Sequence, residues 1–361
     1  MPNGFYKLKV DKIKRETADA VSIRLLVPPP LKGMFSYKAG QYLTLHSMIN
    51  GEDVRRSYSV CSSPYEDAMP TVAVKQVEQG RMSTFLNNEL KEGDLIDAMP
   101  PMGNFIVEPT ANSQKHYILF GGGSGITPLF SIALTVLGQE PNSKVSLIYA
   151  NRDESSIIFK SDIEKLTNDY SGRFEVTHIL DNPSADWNGL SGMLNPMKIN
   201  QLIQKVNPTQ FKDGHYFICG PSGLMNLVEN TLIDAGVAKD NVNLEYFTAI
   251  KKDADESSTD QTENSDEALD GDAEVIVDIF GDQATIKVSP DKTILEAAQD
   301  AGLDPPYSCT VGVCTTCRAK VLKGQVRMDE REGLSDGEIE DGYVLTCQAH
   351  PTTKNVEINF E

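Results

Sequence analysis

Four cysteines near the end of this chain, Cys309, Cys314, Cys317 and Cys347, constrain its fold more than any other feature. They are spaced C-x4-C-x2-C, followed by a gap of 29 residues to the last. Three thiolates on one short loop can wrap a small inorganic centre, and the fourth must be brought in by the fold. This is the ligand spacing of a [2Fe–2S] cluster, in which each iron takes two thiolates. A zinc site or disulfides would use the same thiols, but zinc usually takes paired C-x2-C knuckles and only one such pair is present. A Rieske centre needs two histidines beside the cysteines, and only His350 is near. Gly312 would let the loop turn backbone N–H groups toward the sulfurs, and Arg318 would add a positive charge beside Cys317.

The remaining composition bounds the partners. The chain has 361 residues, enough for two or three domains, and 40% of them are hydrophobic. Its formal net charge of −19 argues against nucleic acid and anionic membrane and favours docking to basic protein surfaces. The opening Met1–Lys7 lacks the apolar core of an export signal, and apolar runs such as Tyr117–Phe120 are far too short to span a membrane. The expected location is therefore the cytoplasm, where thiols stay reduced and cysteines serve as metal ligands before disulfides. The five histidines, His46, His116, His178, His215 and His350, form no close metal pair.

Patterning divides the chain into three domains and a linker. Over residues 1–110, alternating runs such as Ala20–Leu25 and Thr71–Lys75 are separated by Pro28-Pro29-Pro30, Asn50-Gly51 and Glu92-Gly93-Asp94. That predicts an antiparallel β-barrel. Over 111–250, apolar strands at His116–Phe120, Lys144–Tyr149 and Tyr216–Cys219 alternate with amphipathic helices, which predicts an α/β domain with a parallel sheet. Residues 251–273 carry nine acids against two lysines and no aromatic residue, and so read as a self-repelling flexible linker. From 274 to 361 strands resume around one helix near Ile294–Ala301, an α+β module with 16 acids and 8 bases.

Two further motifs place chemistry on these domains. Arg56-Ser57-Tyr58-Ser59, predicted at the start of a barrel strand, is followed by Gly80-Arg81-Met82-Ser83. An arginine forks onto phosphate, an aromatic ring covers an aromatic ring, and glycine with serine opens a helix N-terminus. Taken alone, Tyr58 reads equally well as a core aromatic. Gly121-Gly122-Gly123-Ser124-Gly125-Ile126-Thr127-Pro128 follows a strand and opens a helix, the context of a dinucleotide-binding turn. Pro128 stands where the usual fingerprint has its last glycine. A proline is tolerated in a first helical turn because its missing N–H had no partner there.

On these residues the last module resembles a plant-type ferredoxin of the β-grasp fold. The first two domains resemble the ferredoxin–NADP⁺ reductase family. The resemblance implies a flavin in the barrel, read as FAD, with Arg56 on its phosphates, Tyr58 stacked on its ring and Ser59 near N5. Val74 and Lys75 would line the ribityl side, and Gly80, Arg81, Met82 and Ser83 the pyrophosphate. It implies a nicotinamide cofactor over Gly122, Gly123, Ser124, Gly125 and Thr127, with Cys219, Gly220 and Pro221 beside the nicotinamide ring. Glu245 would serve the hydride site and Phe247 would cover the flavin. Ser59, Cys219 and Glu245 are thus the implied catalytic residues. Arg152, just after the second strand of the parallel sheet, would pair with a 2′-phosphate, favouring NADPH over NADH. Asp153 and Glu154 beside it would oppose that choice, and Arg152 as a surface ion-pair partner is the plainer alternative.

A hydride delivers two electrons and a [2Fe–2S] cluster accepts one, whereas a flavin takes a pair and releases it singly. The domain order therefore describes a wire that splits electron pairs. Plant-type clusters lie near ~−400 mV, so the last carrier is a strong reductant. The whole chain resembles the reductase-subunit family of phenylacetyl-CoA epoxidase complexes, through Arg55–Ser59, Gly125–Pro128, Ile148–Arg152 and Tyr343–Ala349. That resemblance implies an oxygenase partner with a diiron centre, docked through a basic surface. Two alternatives stay open: a reductase for a Rieske dioxygenase, desaturase or haem monooxygenase, and a redox-sensing or interaction protein without turnover.

Overall fold

Two hairpins set the first domain. In a computed structural model describing residues 4–66, 69–207, 211–247, 269 and 271–360, strands β1 (Tyr6–Thr17) and β2 (Ala20–Leu26) pair antiparallel. Strands β3 (Tyr42–Ile49) and β4 (Glu52–Ser59) turn at Asn50-Gly51, with φ of 53° and 82°. Two successive left-handed residues are what a two-residue hairpin turn requires, and Asn-Gly supplies them at least strain. With β5 (Thr71–Lys75) and β6 (Leu95–Ala98) the sheet order is β4-β3-β6-β1-β2-β5. A bridge between Val60 and Val72 joins the outer strands, closing the barrel and removing its edges. Alternation sends Leu8, Val10, Ile23, Leu25, Leu43 and Leu45 inward. Helix α1 (Arg81–Asn88) buries Met82 and Leu86 in the same core.

The Arg56–Ser59 motif sits at the end of its strand, not the start. The Asn50-Gly51 turn begins β4 at Glu52, so pairing runs from Ile49↔Glu52 to Tyr42↔Ser59 and carries the motif to the barrel rim.

The second domain contains β7 (His116–Gly122), α2 (Ile126–Gln139), β8 (Lys144–Asn151), α3 (Lys160–Asp169), β9 (Phe174–Leu180), β10 (Leu190–Ser191), α4 (Pro196–Val206), β11 (His215–Cys219), α5 (Ser222–Asp234) and β12 (Val242–Glu245). The order is β10-β9-β8-β7-β11-β12, with every pairing parallel. Both faces of such a sheet are covered, and so its strands read as continuous apolar runs. The chain winds outward from β7 in one direction and then from β11 in the other. The crevice beyond the carboxyl ends of β7 and β11 is therefore the switch point where ligands bind in open α/β sheets. Barrel and sheet form one unit, Tyr6–Tyr246. They are fastened by Ser131 Oγ donating to the Ser62 carbonyl at 2.6 Å, Thr135 Oγ1 to Ser63 Oγ at 2.9 Å, and a Lys14–Asp162 ion pair at 2.5 Å.

A second unit begins at Phe247. Of the acidic stretch read as a linker, 251–268 and 270 lie outside the described residues. Leu269 packs on the core of this unit and Ala273 opens its first strand. Its sheet has the order β14-β13-β19-β15-β17, from β13 (Ala273–Ile279), β14 (Asp282–Val288), β15 (Arg318–Lys323), β17 (Tyr343–Leu345) and β19 (Asn355–Phe360). Only β13 and β19 pair parallel, which with α6 (Ile294–Asp300) gives the β-grasp arrangement. A reciprocal Thr293–Glu296 capping box starts α6. A ribbon of β16 (Val326–Met328) and β18 (Ala349–Pro351), and the short helix α7 (Asp336–Glu340), complete the unit.

Candidate functional site

The barrel rim gathers the first group. Tyr58 is half-buried, and burial raises its phenol well above the usual value although the Arg56 charge opposes it. Arg56 is exposed and, among the described residues, donates to the Arg55 carbonyl at 2.7 Å, which leaves room in its fork for a phosphate. Gly80 caps α1 without a side-chain bond. Ser83 Oγ there accepts from the Val77 amide and donates to the Gly80 carbonyl, shaping the turn. Arg81 pairs with Glu52. Val74 and Met82 turn their side chains into the barrel core, leaving only backbone to face a ligand. The cradle of exposed arginine, half-buried ring and uncapped helix start fits a flavin nucleotide.

The glycine turn lies at the switch point. Gly123 has a φ of +53°, and the backbone then enters α2 through a single 3-10 turn. Gly125 has a different reason: a Cβ there would lie 2.0 Å from the Cys219 carbonyl oxygen. A Cβ on Gly122 would meet Leu224 and Pro221 at 2.7 Å. Glycine thus lets the start of α2 pack directly on the Cys219-Gly220-Pro221 corner. Thr127 is buried, its Oγ1 donating to the Ser124 carbonyl at 3.1 Å. A cleft of about 430 Å³ opens beside the turn, lined by Gly122, Gly123, Arg152, Ser156, Pro221 and Leu224 among others. Glycine backbone, apolar walls and a cation suit a dinucleotide.

Both acids that cloud the reading of Arg152 have other work. Asp153 Oδ1 accepts from the Ser156 amide at 2.9 Å and Ser155 Oγ at 2.6 Å, capping a 3-10 turn. Glu154 accepts from the Ser184 amide at 3.0 Å and hydroxyl at 2.6 Å. These bonds hold both carboxyls below their usual range, so they stay ionised but committed to the turn and to Ser184.

At the junction of barrel and sheet, three implied catalytic side chains meet. Ser59 Oγ donates to Glu245 Oε2 at 3.0 Å. Glu245 pairs in register with Cys219 across the parallel strands β11 and β12. Burial pushes the Glu245 carboxyl up to about 8, with the Ser59 bond opposing. Burial, reinforced by Glu245, also raises the fully buried Cys219 thiol. At neutral pH the corner therefore carries a protonated acid and a neutral thiol. Phe247 belongs to the other unit and is 41% exposed.

Cys309, Cys314, Cys317 and Cys347 come together in the second unit. Cys309, Cys314 and Cys317 lie on the loop before β15, and Cys347 lies between β17 and β18. Their sulfurs interact pairwise, Cys309 with Cys314 and Cys317 with Cys347, and a Cys309–Cys347 contact joins the pairs. Hydrogen bonds from the partner thiols hold Cys309 and Cys317 low, and push the donors Cys314 and Cys347 up. Four largely buried thiols so close cannot all ionise without cationic charge among them. Among the described residues no three His, Cys, Asp or Glu groups close on a single ion. Two pairs, however, are what two irons require, so the donor set fits a [2Fe–2S] cluster. Gly312 has a φ of +80°, and a Cβ there would meet Glu330 Cβ at 2.8 Å. Backbone N–H groups of Val311 and Cys314 point at the Cys309 sulfur, and that of Cys347 at Cys317. Arg318 is paired with Glu338 and lies 4.7 Å from the Tyr343 ring centroid.

Sequence reading missed several neighbours. Thr346, fully buried, clamps the Cys317 carbonyl with its amide at 3.1 Å and its hydroxyl at 3.0 Å. Asp19 reaches from the β1–β2 turn to Lys75 and Arg152. Met193, Leu194 and Leu227 line the cleft. No spacing rule marks these residues, because each arrives from a distant element.

Three family models match in the same order as the domains: an oxidoreductase FAD-binding domain over residues 7–106, an oxidoreductase NAD-binding domain over 119–230, and a 2Fe-2S iron-sulfur cluster binding domain over 277–352. The chain is 35% identical to a subunit of the 1,2-phenylacetyl-CoA epoxidase of Escherichia coli K12, over 99% of this chain and 98% of that protein. It is 36% identical to the ferredoxin reductase component of 3-ketosteroid-9-alpha-monooxygenase from Rhodococcus rhodochrous, over 98% and 96%. Among solved structures, phthalate dioxygenase reductase shares the fold with a TM-score of 0.58 at 23% identity, over 99% of this chain and 98% of that one. Among the described residues no helix is long and apolar enough to cross a membrane.

Proposed function

The chain belongs to the family of NAD(P)H-dependent flavoprotein reductases that join FAD-, NAD- and 2Fe-2S-binding domains to serve oxygenases, and from that premise we propose that it draws electrons from NADPH and delivers them to the diiron oxygenase of a phenylacetyl-CoA epoxidase complex. The observation that carries the client is the match to the epoxidase subunit over nearly the full length of both chains.

The roles follow from the site. Arg56 and the start of α1 at Gly80–Ser83 hold the flavin phosphates, and Tyr58 covers the ring. Lys75 lines the same cleft as Arg152, on the dinucleotide side. Gly122–Thr127 bring backbone and a helix N-terminus to the dinucleotide pyrophosphate. Arg152 takes the 2′-phosphate, since its two acidic neighbours are committed elsewhere. The Cys219-Gly220-Pro221 corner leaves room for the nicotinamide, and Phe247 is proposed to cover the flavin. Ser59 donates to Glu245 at the junction, and the burial-raised carboxyl keeps the pair uncharged at neutral pH. Cys309, Cys314, Cys317 and Cys347 hold the cluster. When bound, the flavin accepts a hydride pair and the cluster passes electrons on singly. The acidic C-terminal domain docks on a basic oxygenase face, in a cytoplasmic setting.

The reductase of a steroid monooxygenase matches at a similar identity, so a Rieske or other oxygenase is the second reading for the client. Coupled turnover separates them. Purified epoxidase oxygenase with phenylacetyl-CoA should consume NADPH and release product in step with the reductase present. A reductase that passes no electrons to that oxygenase, yet sustains turnover of a Rieske oxygenase, would overturn the client.

A further inference from the structure

The mouth of the nucleotide cleft carries a carboxylate, Asp19, that the functional reading leaves unused. Asp19, in the β1–β2 turn of the barrel, stands between two cations from different domains. Its Oδ2 lies 3.8 Å from Lys75 Nζ and 3.8 Å from Arg152 Nη2. Its Oδ1 is fixed by Thr17 Oγ1 at 2.7 Å, and its carbonyl accepts from the Gln76 amide at 2.7 Å. The carboxylate is therefore held in place, while both cations reach it only at long range. Lys75 and Arg152 also line the same cleft, together with Ser156. Arg152 is 66% exposed at its side chain, so it is free to turn toward a ligand.

We propose that Asp19 sets the coenzyme preference, acting as a built-in competitor for the two cations that a 2′-phosphate would engage. The proposal rests on the NADPH reading of Arg152 and adds Lys75 as the second cation. Lys75, Arg152 and Asp19 together carry one net positive charge. A 2′-phosphate is close to dianionic, so it must draw both cations away from a fixed carboxylate that also repels it. A coenzyme with a free 2′-hydroxyl meets no such repulsion. Asp19 thereby weakens binding of the phosphorylated nucleotide and leaves the other nearly unaffected, narrowing the gap between NADPH and NADH. At this exposed position the effect is modest and screened by salt.

The test measures 2′,5′-ADP and 5′-AMP binding to the flavin- and cluster-loaded protein by calorimetry, at low and at physiological salt. Asp19→Asn keeps an oxygen for Thr17 and removes the charge. It should tighten 2′,5′-ADP by about threefold or more at low salt, less at high salt, with 5′-AMP unchanged. Lys75→Gln and Arg152→Gln should each weaken 2′,5′-ADP and spare 5′-AMP. If Arg152→Gln weakens 2′,5′-ADP but Asp19→Asn leaves it unchanged or weaker, Asp19 is no competitor and this inference fails alone. If Arg152→Gln affects both nucleotides equally, the NADPH reading itself fails.

Discussion

The Ser59 hydroxyl donates to the Glu245 carboxyl group at 3.0 Å across 186 positions of sequence, joining the rim of the barrel to the edge strand of the parallel sheet. The bond ties the side of the site that would hold a flavin to the side that would hold a nicotinamide. Its acceptor is an acid held protonated at neutral pH, because burial raises the Glu245 carboxyl from 4.5 to about 8.

That shift has a signed consequence for stability. A carboxyl with a raised folded pKa contributes stability that is fully present below about 4.5 and is lost as pH rises through about 8. Glu245→Gln removes the titration while keeping an acceptor for Ser59. Thermal unfolding of wild type minus variant should therefore drift downward from pH 5 toward pH 8 and level off above. A difference that is flat with pH would mean that the carboxyl is ionised throughout.

The close approach of α2 to the Cys219 corner gives a contrast between two glycines. Gly125→Ala would drive a methyl into the Cys219 carbonyl, a backbone atom 2.0 Å from the ideal Cβ position. Overpacking commonly costs ~1–3 kcal/mol, and rigid backbone on both sides puts this case at the upper end. Gly138, exposed in the same helix, has nothing within 4 Å. Gly138→Ala should instead stabilise by ~0.5–1 kcal/mol through helix propensity. Denaturant midpoints should move in opposite directions for the two variants.

These residues also mark where the sequence was legible and where it was not. The thiol spacing and the strand–glycine–helix run at Phe120–Pro128 announce themselves because local geometry alone demands those residue types. Barrel and parallel sheet were visible in the switch from alternating to continuous apolar strands. The position of Arg56–Ser59 was misjudged because strand ends depend on where a turn starts the register, here at Asn50-Gly51. Asp19, Thr346 and the Ser59–Glu245 bond carry no local signature, since each exists only once distant elements have packed. Asp153 and Glu154 adjoin Arg152 in sequence, and only the packed fold shows their carboxylates bonded to Ser156 and Ser184.

The clamp on Cys317 offers a test of how Thr346 ties the Cys347 segment to the cysteine loop. Thr346→Val keeps the shape and the amide bond to the Cys317 carbonyl but removes the hydroxyl bond of 3.0 Å. Losing one buried hydrogen bond costs ~1 kcal/mol. The variant should still assemble a cluster but release it sooner, seen as faster bleaching of visible absorbance in air or chelator. Retention equal to wild type would leave Thr346 with no role in positioning Cys317.

Removing a ligand outright should separate the two electron-transfer stages. Cys314 stands in the Cys309 pair on the loop, so Cys314→Ser leaves one iron short of a thiolate. The residues proposed to hold flavin and nicotinamide lie in Tyr6–Tyr246, apart from Phe247, and the cysteine loop belongs to the other unit. NADPH-dependent reduction of ferricyanide should therefore persist near the wild-type rate. Reduction of cytochrome c, which needs the one-electron carrier, should fall to a small fraction, and iron content should drop with it. Loss of both activities in a protein that keeps its flavin would show that the two units do not work independently.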